Sequence, residues 1–109
     1  MNYHSKRAKE TDITKLIKEK VFERDQKRCV VCHMNNGIPN AHYIRRSQGG
    51  LGIEQNVVTL CPKCHEDYDN GKFREEIGKV IKEYLKSVYG ASWCETDLVY
   101  NKWKNFKFK

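Results

Sequence analysis

Four of the five cysteines in this 109-residue sequence form two short pairs. Cys29 and Cys32 make the first pair and Cys61 and Cys64 the second, with 28 residues between the pairs. Two intervening residues place both sulfurs of a pair on one side of a tight turn, here called a knuckle, so two knuckles supply four thiolates to one ion. Four thiolates form the closed tetrahedral set of structural zinc and leave no position for a reacting water. The spacing therefore predicts one structural Zn²⁺ that does no chemistry itself.

Two other interpretations of these cysteines stay open. They could be reduced and unrelated, or they could form a disulfide or a redox CxxC pair, although no thioredoxin-like βαβ unit surrounds them. The odd count and the polar start of the chain argue against a secreted disulfide scaffold. The fifth cysteine, Cys94, stands alone and is expected to be a small, half-buried apolar residue.

The charge balance favours an anionic partner. Lys and Arg number 21 against 14 Asp and Glu, a formal net charge of +7. A positive field concentrates near phosphates, which favours DNA; the plainer alternative is a solvated, solubilising surface. No window approaches the roughly 18 consecutive apolar residues of a membrane span, so we expect no membrane partner and a cytoplasmic location. Basic residues that could contact phosphates lie in both flanks: Lys6, Arg7, Lys9, Lys102, Lys104, Lys107 and Lys109.

The hydrophobic pattern predicts helices on both sides of the cysteine region. We interpret residues 1–109 as a single domain with a loose basic arm over 1–10 and a C-terminal helix and basic tail over 74–109. Apolar stripes at helical spacing predict a helix over 12–25, with Leu16 in its stripe, and a helix over 74–89, with Val88 in its stripe and Gly90 as its end. A shorter helix is predicted from Cys64 to about residue 70. The other expected elements are strands over 28–32 and 38–44, a loop over 45–52, and a helix or short strand over 55–60. Trp93, Trp103 and Phe106 are expected to pack in the core.

The segment between the knuckles carries a second set of chemically capable residues. It runs Asn40-Ala41-His42-Tyr43-Ile44-Arg45-Arg46-Ser47-Gln48-Gly49-Gly50, and Gln55-Asn56-Val57-Val58-Thr59-Leu60 then leads into Cys61-Pro62-Lys63-Cys64-His65. In order and spacing, residues 20–70 resemble the zinc-knuckle subgroup of the HNH endonuclease family. The resemblance implies an α+β fold with a ββα-metal core, a structural four-cysteine zinc site and flanking helices.

The resemblance also implies roles for four residues. His42 matches the general base that activates a water, Asn56 the residue that orients the loop and the base, and His65 a ligand of a catalytic divalent metal. Arg46 falls where the family places a basic residue beside the phosphate. Histidine suits a base near neutral pH, and one metal ion can neutralise the scissile phosphate. Taken singly, these residues have plainer interpretations: structural histidines for His42 and His65, and a capping residue for Asn56.

One position departs from the family pattern. Many members carry an acidic or histidine ligand directly before the base histidine, whereas this sequence has Ala41. Asp69 lies four residues after His65, on the same face of a helix, and is the candidate replacement ligand, although it could also be a solvated carboxylate. Glu66, Asp67 and His33 are weaker candidates.

The sequence hypothesis is thus a metal-dependent endonuclease that hydrolyses DNA phosphodiester bonds. Its catalytic ion would be Mg²⁺, Mn²⁺, Ni²⁺ or Zn²⁺. Two alternatives stay open: a non-catalytic, zinc-stabilised DNA-binding module, which Ala41 favours, and a zinc adaptor between proteins. The resemblance also implies a bacterial or phage origin, with a phage packaging protein as a further partner. A nuclease with one active site per chain would need a homodimer or two separate visits to cut both strands.

Overall fold

Short helices and one antiparallel strand pair make up the fold. The computed structural model describes residues 6–101. It confirms the predicted α+β class, with a two-stranded sheet of order β1-β2. Three 3₁₀ turns lie at Arg46–Gln48, Gly90–Ser92 and Glu95–Leu98. The helices and strands are α1 (Lys6–Thr11), α2 (Lys15–Arg24), β1 (Ile38–His42), β2 (Val57–Leu60), α3 (Pro62–Asp69) and α4 (Arg74–Tyr89).

The sheet carries the chain between the two knuckles. Ala41 of β1 lies opposite Val58 of β2, and the register is irregular between Ile38 and Ala41. Pro39, which has no N–H to donate, falls within that irregular stretch. All four residues of β2 are buried. A two-stranded sheet is marginal by itself, so its stability depends on the elements packed around it.

Helix α4 matches the predicted helix over 74–89. Ile77, Ile81 and Leu85 recur every four residues and are its buried side chains. Val88, which the sequence pattern included in the same stripe, is 41% exposed. The helix ends at Gly90, whose φ of 80° lies in the left-handed region that favours glycine.

The N-terminal prediction is wrong in two respects. Residues 6–11 form α1 where a loose arm was predicted, and the Gly52 N–H donates to the Glu10 carbonyl at 2.9 Å, which fixes the end of α1 against a loop. The next helix begins at Lys15 rather than near residue 12. Its N-cap is Thr14, whose Oγ1 accepts from the Ile17 N–H at 3.2 Å and replaces a backbone partner. Leu16, predicted to face the core, is 60% exposed.

The strand predicted over 28–32 is also wrong, because this segment folds into turns. The Cys29 N–H donates to the Met34 carbonyl at 3.0 Å, and the His33 N–H donates back to the Cys29 carbonyl at 2.9 Å. Three non-glycine residues on either side of this segment have positive φ: Gln26, Lys27 and His33.

The C-terminal segment closes over the loop between the strands. The Leu51 N–H donates to the Leu98 carbonyl at 2.8 Å, and the Tyr100 N–H donates to the Gly49 carbonyl at 2.7 Å. Within the loop, Gly50 lets the chain fold back on its own start, since an added Cβ would lie 1.7 Å from the Ile44 oxygen. Trp93 packs against the core as expected. The predictions for Trp103, Phe106 and the tail lysines (Lys102, Lys104, Lys107, Lys109) lie outside the described residues.

A search of residues 6–101 for a helix long and apolar enough to cross a membrane finds none.

The core predicts a clear contrast between two apolar residues of α4. Leu85 is fully buried and Val88 is 41% exposed. Leu85→Ala should lower the free energy of unfolding by about 2–5 kcal/mol, because it leaves a cavity. The matched surface change Val88→Ala should alter it by about 0.5 kcal/mol or less. Urea unfolding followed by circular dichroism measures both, and equal effects would contradict this assignment of the core.

Candidate metal centre

The four paired cysteines converge on one point. Their sulfur atoms all lie within 4.8 Å of one another, and the Cys32 and Cys61 sulfurs are 3.6 Å apart. Cys61 is also the N-cap of α3, so the helix starts at the second knuckle. No other group of three potential ligand atoms within residues 6–101 lies close enough to share an ion. The predicted juxtaposition of the two knuckles is therefore confirmed.

The spacing of the sulfurs fits one ion. Metal–sulfur bonds of about 2.3 Å in a tetrahedral site place the sulfurs roughly 3.8 Å apart. A cluster of several iron atoms would separate thiolates bound to different irons further than one ion does. The four-cysteine site thus suits a single tetrahedral ion. Four thiolates accept zinc and also iron, so the donor set by itself does not select the metal.

Backbone N–H groups support the thiolates. The Cys32 N–H points to the Cys29 sulfur at 3.5 Å, and the Cys64 N–H points to the Cys61 sulfur at 3.4 Å. Burial raises the pKa of the Cys29 thiol, but N–H donors from Cys32, Cys61 and Val31 outweigh it and lower this pKa to about 7. Burial raises the pKa of Cys64, and neighbouring cysteines raise it further. Cys29 is therefore well prepared to act as a thiolate ligand.

The centre has a buried side and an exposed side. Cys29 and Cys61 are buried, Cys64 is half-buried and Cys32 is exposed. Cys94 lies apart from the centre: it is exposed rather than half-buried as predicted, and its sulfur lies 3.0 Å from the Thr96 hydroxyl. One edge of the four-cysteine site is consequently open to solvent.

The predicted nuclease residues come only partly together. His65 Nε2 lies 3.1 Å from Asp69 Oδ2, as their spacing on one helix predicts. His42 lies close enough to Arg46, Asp69 and His65 for these residues to affect its pKa electrostatically. However, its Nε2 lies 2.9 Å from the Thr11 carbonyl, which can only accept, so Nε2 must carry a proton and donate. This nitrogen is then unable to bind a metal or take up a proton.

The remaining predicted site residues have structural partners. Asn56 is completely buried: its Oδ1 accepts from the Ile44 N–H at 2.8 Å, and its Nδ2 donates to the Leu51 carbonyl at 2.9 Å. Asn56 therefore fixes the conformation of the loop between the strands. Arg46 forms an exposed ion pair with Asp12.

Comparison with known proteins gives a different class from the sequence hypothesis. No family model matches the chain, and no solved structure matches it. A curated relative is Anaredoxin of Nostoc sp. (strain PCC 7120 / SAG 25.82 / UTEX 2576), which is 42% identical over 50 residues. The match covers 45% of this chain and 66% of the relative, so the chain spans just under two thirds of that protein's length.

The relative overturns the assignment to the HNH endonucleases. Its name is that of a redoxin and not of a nuclease. The predictions of HNH membership, of DNA phosphodiester hydrolysis and of a phage nuclease are therefore wrong, and the alternative of a non-catalytic DNA-binding module has no support. The physical reason lies in the residues that carried the resemblance. Histidine, asparagine and arginine also satisfy backbone groups and ion pairs, and His42, Asn56 and Arg46 make such contacts here.

Several predictions stay untested. They are DNA, a homodimer or a packaging protein as partner, the cytoplasmic location, and the individual site roles of His42, Asn56, Arg46, His65 and Asp69. A catalytic Mg²⁺, Mn²⁺, Ni²⁺ or Zn²⁺ beside them has no support, because the relative that overturns the nuclease assignment is named as a redoxin.

If Asn56 is a structural residue, its removal should change stability and not the metal centre. Asn56→Ala should lower the free energy of unfolding by at least about 1–3 kcal/mol, because it leaves buried backbone groups unpaired. Asn70→Ala, which removes an exposed amide 3.5 Å from the Glu66 carboxylate, is the matched control and should be nearly neutral. Chemical denaturation and metal analysis measure the two effects. Loss of bound metal from folded Asn56→Ala would contradict the structural role.

His42 predicts a pH dependence of stability. Burial lowers its pKa below the ordinary 6.5, and Arg46 and His65 lower it further against opposing effects of Thr11 and Asp69. The unfolded chain therefore binds a proton at His42 more readily than the folded chain does. The contribution of neutral His42 to the free energy of unfolding is present above pH 6.5 and is lost as the pH falls below it. Between pH 5 and 7, the free energy of unfolding should rise less steeply with pH in His42→Gln than in the wild type. An unchanged slope would contradict this contribution.

Proposed function

We propose that this protein is a metal-binding electron-transfer protein whose four-cysteine centre holds one redox-active ion. The observation that carries the proposal is the convergence of four thiolates within 4.8 Å, with one edge exposed at Cys32. The partial match to a protein named as a redoxin supports the redox assignment. An iron ion would supply a one-electron couple between its two common oxidation states.

The residues of the centre suit this role. The four thiolates offer the same tetrahedral set to both oxidation states, so little rearrangement accompanies the change in charge. The N–H groups that point to the Cys29 and Cys61 sulfurs stabilise negative charge on them. Cys32 brings the centre to the surface, where a donor or acceptor can approach closely without any opening of the core.

A structural zinc ion is the second candidate. It is favoured by the position of Cys29 and Cys61 inside the hydrophobic core, where a bound ion would join the knuckles to the residues around them. Zinc has no redox chemistry, so the two candidates differ in a measurable property.

Metal loading distinguishes the two candidates. Metal-free protein is reconstituted without oxygen with Fe²⁺ or Zn²⁺ and then analysed for metal content, visible absorption and voltammetry. We expect one iron ion per chain, thiolate-to-iron absorption and a reversible one-electron wave. Cys32→Ser should shift the absorption and the potential, whereas the control Cys94→Ser should leave both unchanged, because Cys94 lies outside the centre.

The other outcomes decide between the alternatives. A chain that takes up zinc but gives no reversible wave with iron contradicts electron transfer and supports the structural ion. A chain that binds neither metal at the thiolates contradicts both candidates.

A further inference from the structure

A buried carboxylate lies at the end of α2, four residues before the first ligand cysteine. The side chain of Asp25 has no exposed surface. Its Oδ1 accepts from Arg24 Nε at 2.7 Å and from the Tyr84 hydroxyl at 2.6 Å. Its Oδ2 accepts from Arg24 Nη2 at 3.1 Å and from the Thr59 N–H at 2.8 Å. One carboxylate thus joins α2, β2 and α4.

Thr59 extends this contact to the metal centre. Its N–H donates to Asp25, and its carbonyl accepts from the Val30 N–H at 3.0 Å. Val30 follows Cys29, and Thr59 precedes Cys61 by two residues. The Asp25 carboxylate therefore fixes the residue of β2 through which the two knuckles are held together.

The packing around Thr59 leaves little freedom for this arrangement. A Cβ added at Gly37 would lie 2.5 Å from Thr59 Cγ2 and 2.9 Å from the Cys29 nitrogen. The first knuckle and β2 are therefore in close contact on this side. A small displacement of Thr59 would be passed to Cys29 directly, because close-packed interiors transmit strain.

Arg24 balances the charge of the carboxylate and adds contacts to the same region. Its guanidinium donates to the Glu54 carbonyl at 2.6 Å, the Val57 carbonyl at 2.8 Å and the Tyr89 hydroxyl at 3.0 Å. It also lies over the rings of Tyr84 and Tyr89, with its central carbon 5.6 and 5.8 Å from their centroids. The buried ion pair is hence well satisfied, which is the condition under which such a pair is tolerated.

We propose that Asp25 is a positioning residue for the four-cysteine centre and that, through Tyr84, it couples metal binding to the packing of α4. Helix α4 contributes no cysteine to the centre. Its influence passes from the Tyr84 hydroxyl to Asp25, from Asp25 to Thr59, and from Thr59 to the knuckles. Coupling of this kind is reciprocal, so metal binding also stabilises the docking of α4. The inference rests on the proposed function insofar as the four cysteines bind an ion.

The test uses Co²⁺ as a probe of geometry and Zn²⁺ as a probe of affinity. Tyr84→Phe removes one hydroxyl and leaves the ring in place. It should weaken Zn²⁺ binding, measured by competition with a chromophoric chelator, about 3- to 10-fold, and it should shift the ligand-field bands of the Co²⁺ protein. Asp25→Asn should weaken binding about 10- to 100-fold, the range seen when groups that orient metal ligands are changed.

A matched control separates positioning from general stability. Tyr43→Phe also removes a phenol that donates to a carboxylate, that of Glu95, but this contact involves neither Asp25 nor Thr59. Tyr43→Phe should lower the midpoint of thermal unfolding while leaving the Co²⁺ bands and the Zn²⁺ affinity of the folded protein unchanged. Equal effects of Tyr84→Phe and Tyr43→Phe on affinity, or unshifted bands in Tyr84→Phe, would overturn the proposal.

A fallback variant and one further measurement keep the outcomes distinct. If Asp25→Asn does not fold, Tyr84→Phe by itself decides, since it leaves the ion pair intact. If the wild-type protein shows no thiolate-to-cobalt absorption, the proposed function fails. In that case, amide hydrogen exchange at Val30 and Thr59 in the metal-free protein tests the positioning role. Faster exchange at both amides in Tyr84→Phe supports it, and unchanged exchange refutes it.

Discussion

The structure depends on bringing four cysteine sulfurs from two distant turns within bonding distance of one ion. Four thiolates at this spacing would repel one another strongly, and an ion bound among them would balance their charge. The convergence of the sulfurs places the end of β2, the start of α3 and the turn after α2 beside one another. In a domain of this size, whose apolar core supplies only modest stability, such a link has a large effect.

Two buried polar side chains also hold together the elements around the four cysteines. The Asn56 amide holds the loop between the strands, and the Asp25 carboxylate holds α2 against β2. Each side chain has several partners, and each would leave buried backbone groups unpaired if it were removed. The few apolar side chains of α4 supply burial energy, whereas these polar contacts decide which turn lies against which strand.

The same polar residues show why residue types in a nuclease-like order do not by themselves establish a nuclease. Asn56 and His42 stand in an order typical of a nuclease, yet both are engaged by main-chain groups in the folded protein. A residue type and its spacing define which bonds a side chain is able to make. Whether those bonds go to a substrate or to the protein's own backbone depends on neighbours that are far away in the sequence.

The sequence by itself determined the parts of this protein that depend on local spacing. Two CxxC pairs place their sulfurs by the geometry of a tight turn, and an apolar stripe located α4 and its end at Gly90. The stripe was wider than the buried face, since it included the exposed Val80 and Val88. The α+β class followed from these elements. Local spacing did not reveal α1, the turns over 28–32 or the exposure of Leu16, because these depend on what packs alongside.

Only the tertiary structure decided how the metal centre is supported. Asp25 meets Thr59 across 34 positions and Tyr84 across 59, and no periodic pattern links such residues. The open edge at Cys32 and the burial of Cys29 were likewise invisible in two identical CxxC spacings. The four ligands can thus be predicted from the chain alone, since each pair lies within four residues. Their surroundings are set by contacts that form only when the whole domain folds.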